Sequence, residues 1–233
     1  MKCDCEEFQT KGCRTTEKCI KNFWLFDGFN ESQMEELRHN GLRKFIKKGS
    51  SAFIQGDPGD EMFLIKTGRI KLCKVHEDGS EVTLDFRKEG DFIGESILSG
   101  QEDYPLSAWA LEDTVTCGFK IKHFNELVLA NPDIGLKVIQ SMSAKMSSMT
   151  DRLESMTENS LENRLYSVLS NVAKEHGIMV DDGLAIKFPL THEDLGFLVG
   201  AHRVSITKAM KCLTHSGKVI KNGNKLILSH TFP

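Results

Sequence analysis

The sequence predicts an α+β chain in which a β-barrel or jelly roll is followed by one long helix and a winged helix-turn-helix. Between about residues 44 and 120, short apolar runs alternate with glycine-containing turns, a texture typical of antiparallel barrels and jelly rolls. From Pro132 onward, apolar residues repeat with heptad spacing, which predicts a helix that pairs with another helix. Beyond residue 160, two short amphipathic segments flank a glycine and precede a lysine-rich hairpin pattern.

These patterns divide the chain into four parts. We predict a cysteine-rich segment over residues 1–22, the barrel over 23–130, the long helix over 131–159 and the winged helix over 160–233. The chain has 233 residues, of which 39% are hydrophobic and 27% charged, as in globular proteins. It has no apolar run of membrane-spanning length and no apolar signal core, so we expect a cytoplasmic protein without a membrane partner.

The charge distribution and the absence of known catalytic motifs limit the classes of function that this chain can have. The net charge of -3 does not favour nucleic-acid binding, but its distribution does. Between Gly200 and Pro233 there are six Lys or Arg and no Asp or Glu, and such a basic end can contact phosphates. The sequence has no nucleophile elbow, Walker A motif or dinucleotide fingerprint, so we do not expect an enzyme.

Four of the seven cysteines, Cys3, Cys5, Cys13 and Cys19, lie in the first 19 residues with the spacing C-x-C-x7-C-x5-C. An odd number of cysteines in a cytoplasmic chain does not suggest a disulfide scaffold, and clustered thiols there indicate metal binding or redox sensing. Irregular spacing suits an iron–sulfur cluster better than a zinc knuckle. A reactive dithiol and an unstructured tail with incidental cysteines are the alternatives.

The barrel region contains seven strand-like runs, and Asp78-Gly79 between two of them indicates a hairpin. The runs are 45–46, 52–54, 62–65, 69–75, 81–86, 107–111 and 114–119.

The long helix carries an apolar seam that we expect to join two copies of the chain: Ile139, Met142, Met146, Met149, Leu153 and Met156. Packing of this helix on its own barrel is the alternative, although a core-facing helix usually has a wider apolar face.

The stretch from Leu190 to Leu213 predicts a helix-turn-helix. Thr191 and Asp194 form a capping-box pattern, and Gly200 breaks the helical spacing where the first helix should end. An ordinary helical hairpin would share these signals, but the preceding helix and the following hairpin at Asn222-Gly223 favour a winged helix. The candidate DNA contacts are Thr191, His202, Arg203, Val204, Ser205, Thr207, Lys208 and Lys211.

This order of domains resembles the CRP/FNR family of bacterial transcription regulators, whose barrel is of the cyclic-nucleotide-binding type. The resemblance runs from about residue 23 to the end, and its most specific pieces are the segments 56–57, 62–71, 90–95 and 195–200. It implies a dimer that binds double-stranded DNA at a two-fold repeat. It also implies contact with RNA polymerase if the protein activates transcription.

The family's effector pocket corresponds here to Ile93, Gly94, Glu95, Leu106 and Ser107. Cyclic-nucleotide binders of the family have an arginine in the triplet that reads Leu106-Ser107-Ala108 here. Leucine cannot neutralise a phosphate, so we do not expect cAMP to bind. The alternative function is therefore a regulator gated by a different small molecule in this pocket, with the cysteines as a thiol switch or idle.

The chain is also similar to the FNR-like branch, whose cysteine-rich N-terminus and one distant cysteine bind a [4Fe–4S] cluster. Cys13-x5-Cys19 matches the closing pair of that pattern, and Cys117 falls on the distant cysteine. The front of the pattern differs, because Cys3-x-Cys5-x7-Cys13 replaces C-x2-C-x5-C. The resemblance implies Cys13, Cys19 and Cys117 as ligands with either Cys3 or Cys5, and hence a response to redox state, oxygen or nitric oxide.

In the recognition helix the family often has an acidic residue where this chain has Val204. Valine can contact only a thymine methyl group, so we expect a half-site that is A/T-rich at this position. Arg203 is the candidate for a guanine or a phosphate. The valine is similar to that of the family's halorespiration regulators, which sense small halogenated aromatics.

Overall fold

The computed structural model describes residues 24–33, 41–223 and 225–229, which form two compact units. The described residues up to Ser141, apart from Val82–Leu84, make the first unit, and Val82–Leu84 with the residues from Met142 onward make the second. The predicted cysteine-rich segment lies outside the described residues. None of the helices described here is long and apolar enough to cross a bilayer.

The strands of the first unit form two antiparallel four-stranded sheets, which confirms the predicted jelly-roll architecture. One sheet has the order β1-β8-β3-β6 and the other β2-β7-β4-β5. The strands are β1 Leu42–Ile46, β2 Ser51–Phe53, β3 Glu61–Thr67, β4 Arg69–Val75, β5 Glu81–Lys88, β6 Phe92–Ile93, β7 Ser107–Ala110 and β8 Thr114–Lys120.

Two hydrophobic clusters lie on opposite faces of the first sheet. The interior cluster fills the space between the sheets with side chains from both, such as Phe63 from β3 and Leu72 from β4. The outer cluster covers the other face of β3, β6 and β8. It combines strand residues with the short 3-10 helix Trp24–Phe26 and with two helices, α1 Ile121–Ala130 and α2 Pro132–Met156.

Helix α1 and strand β6 were not predicted from the sequence. Helix α1 follows β8 directly and begins after Lys120, whose side chain provides no cap. Phe124 and Leu127 of α1 are buried in the outer cluster. Ile121 and Val128 pack against the same cluster, so α1 carries a helical apolar spacing that was overlooked in the sequence. Strand β6 has two residues, too few to show alternation.

The second unit is a winged helix, as predicted. Helices α3 Leu161–His176, α4 His192–Val199 and α5 Arg203–His215 pack beside a sheet of order β11-β12-β10-β9. The strands are β9 Ile178–Val180, β10 Gly183–Ile186, β11 Val219–Asn222 and β12 Lys225–Ser229. Strand β9 was not predicted, because it lies at a sheet edge and its residues Ile178 and Met179 are exposed.

Candidate functional site

Helix α4 begins with the capping box that the sequence predicted. The Asp194 amide donates to Thr191 Oγ1 at 3.0 Å, and the Thr191 amide donates to Asp194 Oδ2 at 3.0 Å. The Thr191 hydroxyl also donates to Asp194 Oδ2. These bonds satisfy backbone donors that a helix start would otherwise leave without partners.

The turn between α4 and α5 depends on two glycines. Gly200 ends α4 with a φ of 66°, in the left-handed region that favours glycine. At Gly196 a Cβ atom would lie 2.6 Å from the carbonyl oxygen of Ala201, and the Ala201 amide donates to the Gly196 carbonyl at 2.8 Å. The chain therefore reverses its direction tightly, and α5 begins at Arg203, two residues after Ala201.

Helix α5 has one buried face and one face that is available to a ligand. Ile206, Ala209, Met210 and Leu213 are buried in the second unit. The predicted contact residues lie on the other side: His202, Arg203, Val204, Lys208 and Lys211 are exposed, and Ser205 and Thr207 are half-buried. Val204 is 57% exposed although it is apolar, as a residue that touches a thymine methyl group must be.

Two of the predicted contact residues also cap helices. The hydroxyl of Thr191 is used in the capping box of α4. His202 is the N-cap of α5, and its Nδ1 accepts from the Val204 amide at 3.4 Å. Both residues remain exposed at the ends of the two helices. Because the amide and the hydroxyl of Thr191 both donate to Asp194, a DNA group at this position would have to donate to one of the Thr191 oxygens.

His192, the first residue of α4, was not among the predicted contact residues. Its Nδ1 lies 2.9 Å from Thr207 Oγ1 on α5. Partial burial lowers the pKa of His192, and the positive charges of Lys221 and Arg203 lower this pKa further. Its position next to Thr191, at the start of the helix-turn-helix, was the sequence signal that could have identified it.

The six predicted seam residues of α2 are all exposed in the single chain. Their exposed fractions run from 38% at Met156 to 69% at Met146. Ile139, Met142, Met149 and Leu153 lie between these values. Leu136, three residues before Ile139, is 59% exposed and extends the stripe toward the start of the helix.

Among the predicted cluster ligands, the structure describes Cys117, and Cys3, Cys5, Cys13 and Cys19 lie outside the described residues. Cys117 is completely buried on β8, where it pairs with Arg43 of β1 and Leu64 of β3. Its side chain belongs to the outer cluster. Leu25 and Phe26, which follow Cys19 by six and seven residues, belong to the same cluster.

The other two described cysteines have different surroundings. Cys73 on β4 is completely buried, and its thiol donates to the Ser107 carbonyl at 3.8 Å. Burial, together with Glu81, raises the pKa of the Cys73 thiol to about 12. Cys212 on α5 is exposed, and its pKa is raised chiefly by a hydrogen bond to Glu162.

The residues of the predicted effector pocket lie in or beside the interior cluster. Ile93 is completely buried there, and Leu106 packs against its rim. Ser107 is also completely buried, and its hydroxyl oxygen accepts from the Gln55 amide at 2.9 Å. Gly94 has a φ of 79°, and a Cβ atom there would lie 3.0 Å from the Glu61 carbonyl oxygen.

Glu95 forms an ion pair within the first unit. Its carboxylate is paired with Arg87 of β5 at 2.9 Å, and the two side chains are 23% and 12% exposed. Arg87 also contacts Asp85 at 3.1 Å. The carboxylate that would accept a ribose hydroxyl in a cyclic-nucleotide binder is therefore held by a guanidinium group in this chain.

Two domain families match the chain. A cyclic nucleotide-binding domain covers residues 43–131, and a Crp-like helix-turn-helix domain covers residues 163–230. The cAMP-activated global transcriptional regulator CRP of Salmonella typhimurium is 26% identical over 198 residues, which are 84% of this chain and 92% of that protein. The anaerobic regulatory protein of Bacillus subtilis is 26% identical over 196 residues, 83% of this chain and 82% of that protein.

Solved structures agree with these matches. The c-di-GMP responsive global regulator CLP of Xanthomonas campestris superposes with a TM-score of 0.69 at 16% identity and covers 87% of this chain and 100% of its own. OCPA-complexed CprK superposes with a TM-score of 0.63 at 25% identity, covering 85% of this chain and 91% of its own. The two domains occur in the predicted order, and the chain belongs to the CRP/FNR family of DNA-binding transcription regulators.

Proposed function

We propose that this chain is a dimeric transcription regulator whose DNA binding responds to redox state through a [4Fe–4S] cluster. Cys13, Cys19 and Cys117, with either Cys3 or Cys5, would hold the cluster. Oxygen, nitric oxide or another oxidant would be the signal. The Bacillus subtilis relative is an anaerobic regulatory protein, which agrees with a signal of this kind.

The observation that carries the proposal is the face of β8 on which Cys117 lies. A thiol that only filled the barrel would point into the interior cluster between the two sheets. Cys117 instead belongs to the outer cluster, together with Leu25 and Phe26. Since Cys19 precedes Leu25 by six residues, the chain between them spans at most about 20 Å. Cys117 therefore shares a cluster with Leu25 and Phe26, which follow Cys19 closely in sequence, and this supports a shared ligand set.

The surroundings of Cys117 fit a cluster ligand. Its neighbours in the outer cluster are apolar, including Met62, Leu64 and Phe119. An apolar shell limits the access of water and so influences the potential of an iron–sulfur centre. Four thiolates are the usual donor set of a [4Fe–4S] cluster, and the bound cluster would supply the electron-transfer chemistry.

Residues 24–33 connect this site to the start of α2. Lys137 Nζ donates to the Asp27 carbonyl at 2.8 Å and to the Leu25 carbonyl at 3.5 Å. The Gln33 side-chain amide donates to Asn131 Oδ1 just before α2. A change in how the cysteine-rich segment is held would therefore alter contacts at the first turns of α2, and small helix shifts of this kind can switch an interface.

The exposed stripe of α2 supports the dimer. Regulators of this family act as dimers, and within the described part of this chain the seam residues from Ile139 to Met156 remain 38–69% exposed. Two copies of α2 would bury the stripe and place two winged helices on one DNA molecule. We therefore expect a two-fold operator with half-sites about one helical turn apart. Contact with RNA polymerase follows if the protein activates transcription.

Anaerobic purification tests the cluster. We expect brown protein with about four iron and four sulfide ions per chain, and loss of both on exposure to air. Cys117→Ser should leave the protein folded but abolish the cluster absorbance. Cys73→Ser is the matched control, because Cys73 is also a completely buried strand thiol but lies outside the outer cluster. Its absorbance should equal that of the wild type.

The DNA-binding readout decides whether the cluster matters for function. DNA affinity should differ between the anaerobic and the air-exposed protein, and this difference should disappear in Cys117→Ser and persist in Cys73→Ser. Colourless, iron-free protein from anaerobic cells that binds DNA equally in both conditions would contradict the cluster proposal.

The second candidate function is gating by a small molecule in the barrel. The half-buried Arg87–Glu95 pair supports it, because an anionic effector could take the place of the Glu95 carboxylate on Arg87. Cyclic AMP is not the effector proposed, since Leu106 replaces the family's phosphate-binding arginine. A ligand that shifts DNA affinity equally in the wild type and in Cys13→Ser would favour this function over the cluster.

A further inference from the structure

Three elements of the winged helix each contribute a basic side chain whose charge acts at the start of α4. His192 is the first residue of α4, Arg203 is the first residue of α5, and Lys221 lies on β11 of the wing. Lys221 and Arg203 are close enough to His192 for their charges to lower its pKa, in addition to the larger effect of partial burial. The nearest carboxylates along the chain are Glu193, which is exposed, and Asp194, which is bound in the capping box.

A hydrogen-bond relay assigns the tautomer of His192. The Thr207 hydroxyl donates to the Arg203 carbonyl at 3.0 Å. Because a hydroxyl has one proton, Thr207 Oγ1 is then the acceptor for His192 Nδ1–H at 2.9 Å. The neutral ring consequently carries its unprotonated nitrogen at Nε2. Among the described residues, Nε2 makes no hydrogen bond.

We propose that His192 contacts a DNA backbone phosphate through Nε2 and takes up a proton as the protein binds DNA. In the free protein, burial and the two nearby cations favour the neutral ring. A phosphodiester between Arg203 and Lys221 would offset their repulsion and accept a hydrogen bond from protonated Nε2. The relay needs no rearrangement, because the imidazolium still donates from Nδ1 to Thr207.

The proposal rests on DNA binding by the winged helix, so the first step of the test selects a duplex from a random-sequence pool with the full-length protein. If no duplex is selected, DNA binding itself fails, which is a different outcome from failure of the proton coupling. With the selected duplex, affinity is measured between about pH 6 and pH 8 at constant ionic strength, because phosphate contacts depend on salt.

Linkage gives the sign of the pH effect. A proton taken up on binding makes affinity fall as pH rises, by up to about tenfold per pH unit and per bound subunit. His192→Gln should flatten this dependence, and His192→Arg should flatten it while binding more tightly than the wild type at pH 8, because arginine stays charged. His215→Gln, at the far end of α5, is the matched control and should keep the wild-type slope.

Direct titration of the His192 ring by NMR completes the test. The pKa should lie below the usual value near 6.5 in the free protein and should rise when the duplex binds. The same experiment with inorganic phosphate at matched ionic strength should leave it low. Three results would overturn the proposal: a wild-type slope in His192→Gln, a slope lost only in His202→Gln, or an equal pKa rise with inorganic phosphate.

Discussion

Helices α2 and α3 follow one another in the chain, and both are amphipathic, but only α3 buries its apolar face within the single chain. In α3, Leu165, Val168, Leu169 and Ala173 are all buried. In α2, the six seam residues from Ile139 to Met156 remain 38–69% exposed. The first turns of α2 are covered where Ile134 and Val138 pack against the outer cluster.

The difference lies in the width of the apolar face. Helix α3 has apolar residues at i, i+4, i+7, i+8, i+11 and i+12 counted from Leu161, which gives a broad face that fits a domain core. Helix α2 has a narrow stripe with spacings of three and four, which fits one partner helix. The comparison predicts that equivalent substitutions act on folding in α3 and on association in α2.

Met146→Glu should have the largest effect and should act on association. A carboxylate buried without a partner between two copies of α2 should cost about 3–5 kcal/mol, and so weaken the dimer by about a hundredfold or more. Sedimentation should show monomers, and affinity for the full operator should fall with the loss of the second half-site. Ser147→Glu adds the same charge one residue off the stripe and should remain dimeric. A dimeric Met146→Glu protein would contradict the assignment of the seam.

Leu169→Ala should act on folding. Leu169 is completely buried in α3, so its truncation should lower the free energy of unfolding of the winged-helix unit by about 2–5 kcal/mol. Thermal or denaturant unfolding measures this loss, and the folded fraction should still sediment as a dimer. A dissociated but otherwise stable protein would mean that α3, too, contributes to the interface between copies.

Leu153→Ala makes the same chemical change on α2 and sharpens the comparison. Leu153 is 65% exposed in the single chain, so its truncation should change the intrinsic stability of the chain by no more than about 0.5 kcal/mol. It should nevertheless lower the dimer's melting temperature in a way that depends on protein concentration. A loss of stability that is independent of concentration would place Leu153 in an intrachain core.

Ser160→Ala should have the smallest effect. Ser160 is the N-cap of α3, and its side chain accepts from the Asn163 amide at a long distance of 3.5 Å. Its loss should lower the free energy of unfolding by about 0.5 kcal/mol, at the low end for an N-cap.

Thr191→Ala should lower the free energy of unfolding by more, about 1 kcal/mol, because it removes a capping box with shorter bonds. Calorimetry of the two variants checks this order.

The winged helix was the part that the sequence predicted best, because the residues that cap and end its helices lie close together in the chain. Thr191 and Asp194 cap α4 at three residues' separation, and Gly200 ends it. The exposed side of α5 follows from helical periodicity once its buried side is known. His192 was missed because its significance depends on Thr207 and Lys221, which are distant in sequence and come from α5 and the wing.

The surroundings of Cys117 were less predictable from the sequence, because they depend on which face of a strand is covered. The sequence placed Cys117 on a strand with buried residues on both faces. Val115, Cys117 and Phe119 form the apolar face of β8, and alternation alone could not tell whether that face points into the barrel or away from it. Helix α1, strand β6 and the position of residues 24–26 on the outer face all came from the structure.

The sequence by itself determined the order of the domains, the caps and turn of the helix-turn-helix, and the narrow stripe of α2, because each of these follows from the pattern of residues along the chain. Only the tertiary structure decided that Cys117 lies on the outer face with Leu25 and Phe26, that Arg87 holds Glu95, and that His192 lies within 2.9 Å of Thr207 on α5. These contacts join residues from different elements, most of them distant in sequence. Local patterns do not encode such pairings, because packing of whole elements creates them.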